Sequence, residues 1–224
     1  MEALYQLQRR LEALYEIPTG HDVRDFLVTE RVVARALAGE ALPQAPEGLL
    51  LRQEGEELAL SLYLDRALLA RFAAHDPLRR LEREGLEAFC LVLEGVSHFV
   101  HLAWRAAQDR PVSLLELELQ AEVDKYAVAA ALLAEQNRGR VPAWLHRALF
   151  AGARFRPELA GEALRRYREA DRAAAAFCAA LHRELLRGAS QQATRALRRF
   201  HRLRPAHKRA PAPWRPWSGP GPAP

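Results

Sequence analysis

Cysteine is nearly absent from this sequence. Cys90 and Cys178 are the only two, each inside an apolar, helix-like stretch, and no CxxC or zinc-type spacing occurs. The expectation is a pair of buried free thiols, which suits a reducing, cytoplasmic setting. Lysine is as scarce: of 33 basic residues only Lys125 and Lys208 are not arginine. A lysine in such a chain is worth noting, because a compact ammonium can change protonation when buried and a guanidinium cannot. No apolar run reaches the ~18 residues a membrane-spanning helix needs, so no transmembrane segment is expected. The amphipathic start, with Glu2 and Arg9, does not read as a signal peptide. GxGxxG, Walker-type, GxSxG and HExxH motifs are all missing. Ser97 in "GVSHF" falls in mid-helix, not on the strand-to-helix turn a nucleophile elbow requires.

What is present is apolar and helical. Half of the 224 residues are hydrophobic, enough for a sizeable core in one domain. Leu4, Leu7, Leu11 and Leu14 make one helical stripe. "DFLVTE" (25–30) reads as a short strand or as the lead-in to a helix that Gly39 stops. The spacing changes to period 2 at "LLLRQEGEELALSLYLD", which predicts a β-hairpin over about 49–64, with Asp65 capping the next helix. Asp76-Pro77 reads as a helix start. Long helices are predicted over 86–107 and from Ser113 to about 136, with Ser113 and Glu116 forming a capping box. A short helix near 143–155, a long one over about 157–187 and a last basic helix over 188–203 follow. The fold class is therefore mostly α with minor β: a helical bundle around the 86–136 hairpin and the 157–187 helix. The expected organisation is one domain over 1–187, the basic helix, and a Pro/Arg/Trp-rich tail (204–224) too rich in Pro and Gly to pack.

Charge is unevenly placed. From Leu185 onward there are nine Arg or Lys and no acidic residue, and removing those nine from the net +5 leaves about −4 on residues 1–184. Arg195, Arg198, Arg199, Arg202, Arg204, Lys208, Arg209, Trp214, Arg215 and Trp217 combine cations with aromatics. Such a segment can contact an anionic partner: a protein, a nucleic acid or an anionic surface.

The other feature is the stretch "LEGVSHFVHLAWRAAQDRPVSLLELELQAEVDKY" (93–126). Glu94, His98 and His101 fall at steps of four and three on the first helix; Glu118, Glu122 and Lys125 make a stripe on the second. Folding the helices antiparallel about Asp109–Arg110 pairs His101 with Glu118, His98 with Glu122 and Glu94 with Lys125. Asp171 lies in the apolar seam of the 157–187 helix and needs a partner if it points inward. Histidine and glutamate on facing helices are the ligand types of divalent or iron-type centres in helical bundles, with Glu94, His98, His101, Glu118 and Glu122 as candidate ligands. The Glu-x-x-His motif on each of two helices is not present, and complementary salt-bridged rungs explain the same pattern without a metal. His146 and His182 sit on faces that read as surface. The first functional expectation is an accessory or protein-interaction protein with a helical body and a basic tail. The alternatives are a helical enzyme with a His/Glu centre and a nucleic-acid-associated protein acting through the tail.

Overall fold

The computed structural model describes residues 1–39, 44–54, 57–151, 161–203 and 208. Its centre is the antiparallel pair α4 (Leu86–Ala106) and α5 (Leu114–Gln136). Both are apolar around most of their circumference, so both must be covered on several sides. α1 (Glu2–Tyr15) lays Leu4, Leu7 and Leu11 against them, and α3 (Arg66–His75) packs on α4 through Leu68 and Phe72. α7 (Gly161–Leu186) lines the opposite side of α5 with Ala174, Cys178 and Leu181. The short α6 (Leu145–Phe150) fills in beside α5 and α7. α8 (Ser190–Arg202) folds back against α7 and α1 and buries Ala193, Leu197 and Phe200. The basic helix is thus packed on the body and not an appendage.

The β-hairpin is present as β2 (Glu47–Glu54) and β3 (Glu57–Leu64), antiparallel with Leu49 opposite Leu62. β1 (Leu27–Val28) adds a parallel edge beside β3, giving the order β1-β3-β2. Period 2 divides this sheet: Leu62 and Leu64 face α4, while Leu50 and Tyr63 face α2 (Arg31–Ala38) at Ala34. α4 comes so close to the sheet that a β-carbon added at Gly95 would lie 2.9 Å from Leu62 Cδ1 and 3.1 Å from Leu64 Cδ2.

Local signals behave as their chemistry dictates, with two exceptions. Gly39 stops α2 at φ 60°, and Asp65 Oδ1 accepts from Ala67 N–H at 2.8 Å as the cap of α3. Ser113 Oγ caps α5 by accepting from Glu116 N–H at 3.2 Å. The other half of that capping box does not form, because the Glu116 carboxylate turns inward. Asp76-Pro77 starts no helix: Asp76 ends α3 in the left-handed region at φ 39°. The predicted 157–187 helix is α7 from Gly161; residues 157–160 lie outside the described residues.

Among the described residues α4 is the one helix long and apolar enough to cross a membrane, and 83% of its most apolar window is buried inside the fold. Its hydropathy is spent on the core. The close approach at Gly95 gives a test. Gly95→Val should lower stability by ~1–3 kcal/mol in urea or thermal unfolding, because Leu62 and Leu64 have no room to retreat. An unchanged midpoint would mean that the sheet is not seated on α4 as described.

Candidate metal centre and a second buried polar network

α5 is buried on two opposite faces, and each face carries ionisable groups. Glu118, Glu122 and Lys125 point toward α7 and the sheet; Glu116, Gln120 and Asp124 point toward α1 and α8. Two separate centres result.

The first lies among α4, α5, α7 and β2. Lys125 Nζ donates to Glu94 Oε2 at 3.1 Å and to Glu122 Oε1 at 2.6 Å. His98 Nε2 is 3.9 Å from Glu118 Oε2. Tyr167 hydrogen-bonds Glu118, and Arg166 and the buried Glu47 act on its charge. Asp171 is half-buried and feels Lys125. Burial works against the Lys125 ammonium, but Glu94 and Glu122 outweigh it and hold its pKa well above the usual value. At Glu118 the Arg166 guanidinium does not outweigh burial. Burial first, then the Glu94 carboxylate, push the Glu118 pKa up to about 8. Glu122 is raised by burial despite Lys125. Burial and the neighbouring carboxylates thus favour a proton on Glu118.

Glu94, His98 and Glu118, all buried, each present one ligand atom, and these atoms lie within 4.8 Å of one another. Three ligands held ~2.1 Å from one ion lie ~3.4–3.6 Å apart, so a bound cation would draw the more distant of these atoms together by about 1 Å. Imidazole with two carboxylates suits zinc, manganese or iron. Lys125 on Glu94 and Tyr167 on Glu118 would orient the ligands from behind.

The second centre lies among α1, α4, α5 and α8. The buried Asp124 accepts from Ser97 Oγ at 2.6 Å, from Gln120 Nε2 at 2.8 Å and, through a short bond, from the Tyr15 hydroxyl. Burial raises Asp124 to about 6 even so. His101 Nε2 is 3.4 Å from Glu116 Oε1, and its Nδ1 is 3.3 Å from His201 Nε2. Burial lowers His101 to about 4 and lowers His201 further, so both rings are neutral near pH 7. With one N–H each, both contacts are satisfied only if His201 Nε2–H donates to His101 and His101 Nε2–H donates to Glu116. Burial alone would raise Glu116, but His101, Lys208 and Arg105 outweigh it and hold it below the usual range. Lys208 closes the network: its buried Nζ donates to Gln120 Oε1 at 3.1 Å and lies 3.5 Å from Glu116 Oε1. Burial brings its pKa down to about 8.

The rung pairing read from the sequence is therefore corrected. Glu94 does meet Lys125, but His98 meets Glu118 rather than Glu122, and His101 meets Glu116 rather than Glu118. Three residues at ~100° each leave His98 and His101 ~60° apart on α4, enough to place them on opposite sides of the α4–α5 seam. His101 belongs to the second centre. His146 and His182 are not surface groups: His182 is buried, accepts from Tyr126 Oη at 2.9 Å and donates to Ala143 O at 3.2 Å, while His146 donates to Ala175 O at 2.9 Å. Cys178 is buried and Cys90 half-buried, both free; burial pushes the Cys90 thiol up to about 12 and raises Cys178 as well.

Of the basic C-terminal residues, Arg195, Arg199 and Arg202 are exposed. Arg198 donates to Leu14 O at 2.8 Å and pairs with Glu16; Arg202 donates to Tyr15 O at 2.9 Å. These two cap the carbonyl end of α1, where the helix dipole favours cations. Arg204, Arg209, Trp214, Arg215 and Trp217 lie outside the described residues. Sequence reasoning missed Tyr15, Gln120, Asp124, Tyr167 and His201, and read Glu116 only as a cap. The signal for some of them was polar residues four apart, Glu116, Gln120 and Asp124, opposite the Glu118–Glu122 stripe on an otherwise apolar helix.

No protein-family model, no curated protein and no solved structure matches this chain.

Two outcomes follow from this geometry. Asp124→Ala leaves three buried donors without their acceptor and should destabilise the fold by ~3 kcal/mol or more in chemical denaturation; a change under ~0.5 kcal/mol would contradict the network. Glu118 gives a pH signature in the metal-stripped chain. Its folded pKa, about 8, lies above the ordinary 4.5, so the folded chain holds the extra proton. The stabilisation is complete below 4.5 and is lost as pH rises through about 8. Measured against wild type, Glu118→Gln should therefore gain ~2 kcal/mol or more between pH 5 and pH 9. A pH-independent difference would place Glu118 in water.

Proposed function

We propose that this chain is a metal-binding helical protein in which Glu94, His98 and Glu118 hold one divalent transition-metal ion. The observation that carries the reading is the approach of these three buried ligand atoms to within 4.8 Å. Three protein ligands leave coordination positions open, the arrangement of a site that works on water or a substrate. A bound ion would supply Lewis acidity and lower the pKa of a coordinated water. Glu94 and Glu118 would supply the negative charge, and His98 the neutral nitrogen donor. Lys125 holds Glu94 by a hydrogen bond, and Tyr167 does the same for Glu118. Glu122 is held by the same Lys125 that holds Glu94 and is a further carboxylate available for moving a proton. Metal and proton compete for Glu118, so affinity should rise with pH up to about 8.

The test is elemental analysis and titration calorimetry on the full chain, made without a histidine tag and offered zinc, manganese and ferrous iron in turn. The expected result is about one ion per chain, lost in His98→Ala and retained in His101→Ala. Equal loss in both variants, or no stoichiometric ion in the parent, would overturn the proposal.

The reading as an accessory protein with an anion-binding C-terminal segment has narrower support. Arg195 and Arg199 are exposed, but Arg198, Arg202 and Lys208 are engaged by the body. A gel shift with single-stranded RNA, run against Arg195→Ala/Arg199→Ala, measures what those two contribute.

A further inference from the structure

The second centre contains a feature the metal reading does not use. Lys208 comes from beyond the end of α8, yet its side chain is fully buried between α5 and α8. The walls around it are preset. Gln120 spends its amide N–H groups on Asp124 Oδ1 at 2.8 Å and the Tyr15 hydroxyl at 3.2 Å, which turns its carbonyl oxygen toward Lys208. Glu116 is held by His101 at 3.4 Å and presents the same oxygen, Oε1, to Nζ at 3.5 Å. The Asp124 carboxylate adds a second negative charge close by. The Phe200 ring has its centroid 5.4 Å from Nζ, within reach of a cation–π contact. Glu116, Gln120, Asp124 and Phe200 are all buried.

These groups suit a primary ammonium. Three N–H donors and a compact charge meet two carboxylates, an amide oxygen and an aromatic face. A guanidinium is planar and wider, and its five donors would not be satisfied by the same acceptors. The residue choice agrees: where nearly every basic residue is arginine, the cation that enters this pocket is one of the two lysines.

We propose that the pocket formed by Glu116, Gln120, Asp124 and Phe200 is a receptor for a primary alkylammonium, and that Lys208 is its resident occupant, which keeps a free amine out of the parent chain. The C-terminal lysine fills in cis a site able to take an amine in trans. The inference stands on the second centre alone and does not depend on a metal in the first.

The experiment uses the full chain with Lys208→Ala and the fragment that substitution removes, n-propylammonium. The expected result is a fall in Tm of several degrees in the variant and a saturable recovery of most of it with n-propylammonium at neutral pH. The parent should not respond, and propyltrimethylammonium, which has no N–H, should restore nothing. A variant that melts with the parent, or an equal response of parent and variant to the amine, overturns the proposal. Should Lys208→Ala not fold, the parent itself decides. Its only lysines are Lys125 and Lys208, so native-state acetylation followed by peptide mapping reads each alone. Acetylation of Lys208 about 100-fold slower than in the denatured chain is expected from its burial, and labelling at the denatured rate overturns the proposal.

Discussion

The structure depends on one constraint: α5 is buried on two faces, and both carry charge. A buried carboxylate without a partner costs several kcal/mol, more than a marginally stable domain can lose at many sites. The neighbours of α5 are best understood as suppliers of partners. α4 brings Glu94 and His98 to one face and Ser97 and His101 to the other. α1 contributes the Tyr15 hydroxyl, α7 contributes Tyr167, and α8 contributes His201. Folding α8 back is thus more than the burial of Leu197 and Phe200. It completes a hydrogen-bond network that α5 cannot complete alone, and its Arg198 and Arg202 close the open end of α1.

The two faces resolve the constraint differently. On the α1 side, neutral imidazoles, an amide, hydroxyls and one ammonium surround two carboxylates, and nearly every donor has an acceptor. On the α7 side, Glu94 and Glu122 share Lys125 while Glu118 lies beside them, with Glu47 and Asp171 adding to the negative field and Arg166 opposing it. The first is what a stable core requires. The second holds Glu118, which burial and Glu94 drive toward its protonated form, a condition a divalent cation relieves. Strongly perturbed groups in such a cluster are where function is best sought.

Much of the frame is legible in the sequence because local chemistry decides it. Period 2 marks β2 and β3, Ser113 and Asp65 mark helix starts, and Gly39 marks a stop. That α4 and α5 bring polar groups together is legible from their spacing. The partition into two centres is not, because it turns on ~60° of rotation between His98 and His101 and on where the α4–α5 contact line falls between them. Glu116 shows the same limit: as a capping residue its carboxylate should face its own helix end, but the tertiary pull of His101, Arg105 and Lys208 is stronger than one exposed cap bond. Asp76 is a third case, since nothing local distinguishes an aspartate that begins a helix from one that ends it in the left-handed region.

The two lysines draw these points together. In an arginine-rich chain, a lysine stands out where the acceptors around a cation match a compact charge better than a planar one. An ammonium fits a tripod of oxygens, whereas a guanidinium needs a flat, wide slot. Both lysines in fact sit at carboxylates, Lys125 half-buried between Glu94 and Glu122 and Lys208 buried beside Glu116. Their rarity was therefore information about position. It marks the two points where each polar face of α5 needs a compact positive charge, and one of those charges arrives from the basic segment that composition alone assigns to a solvated tail.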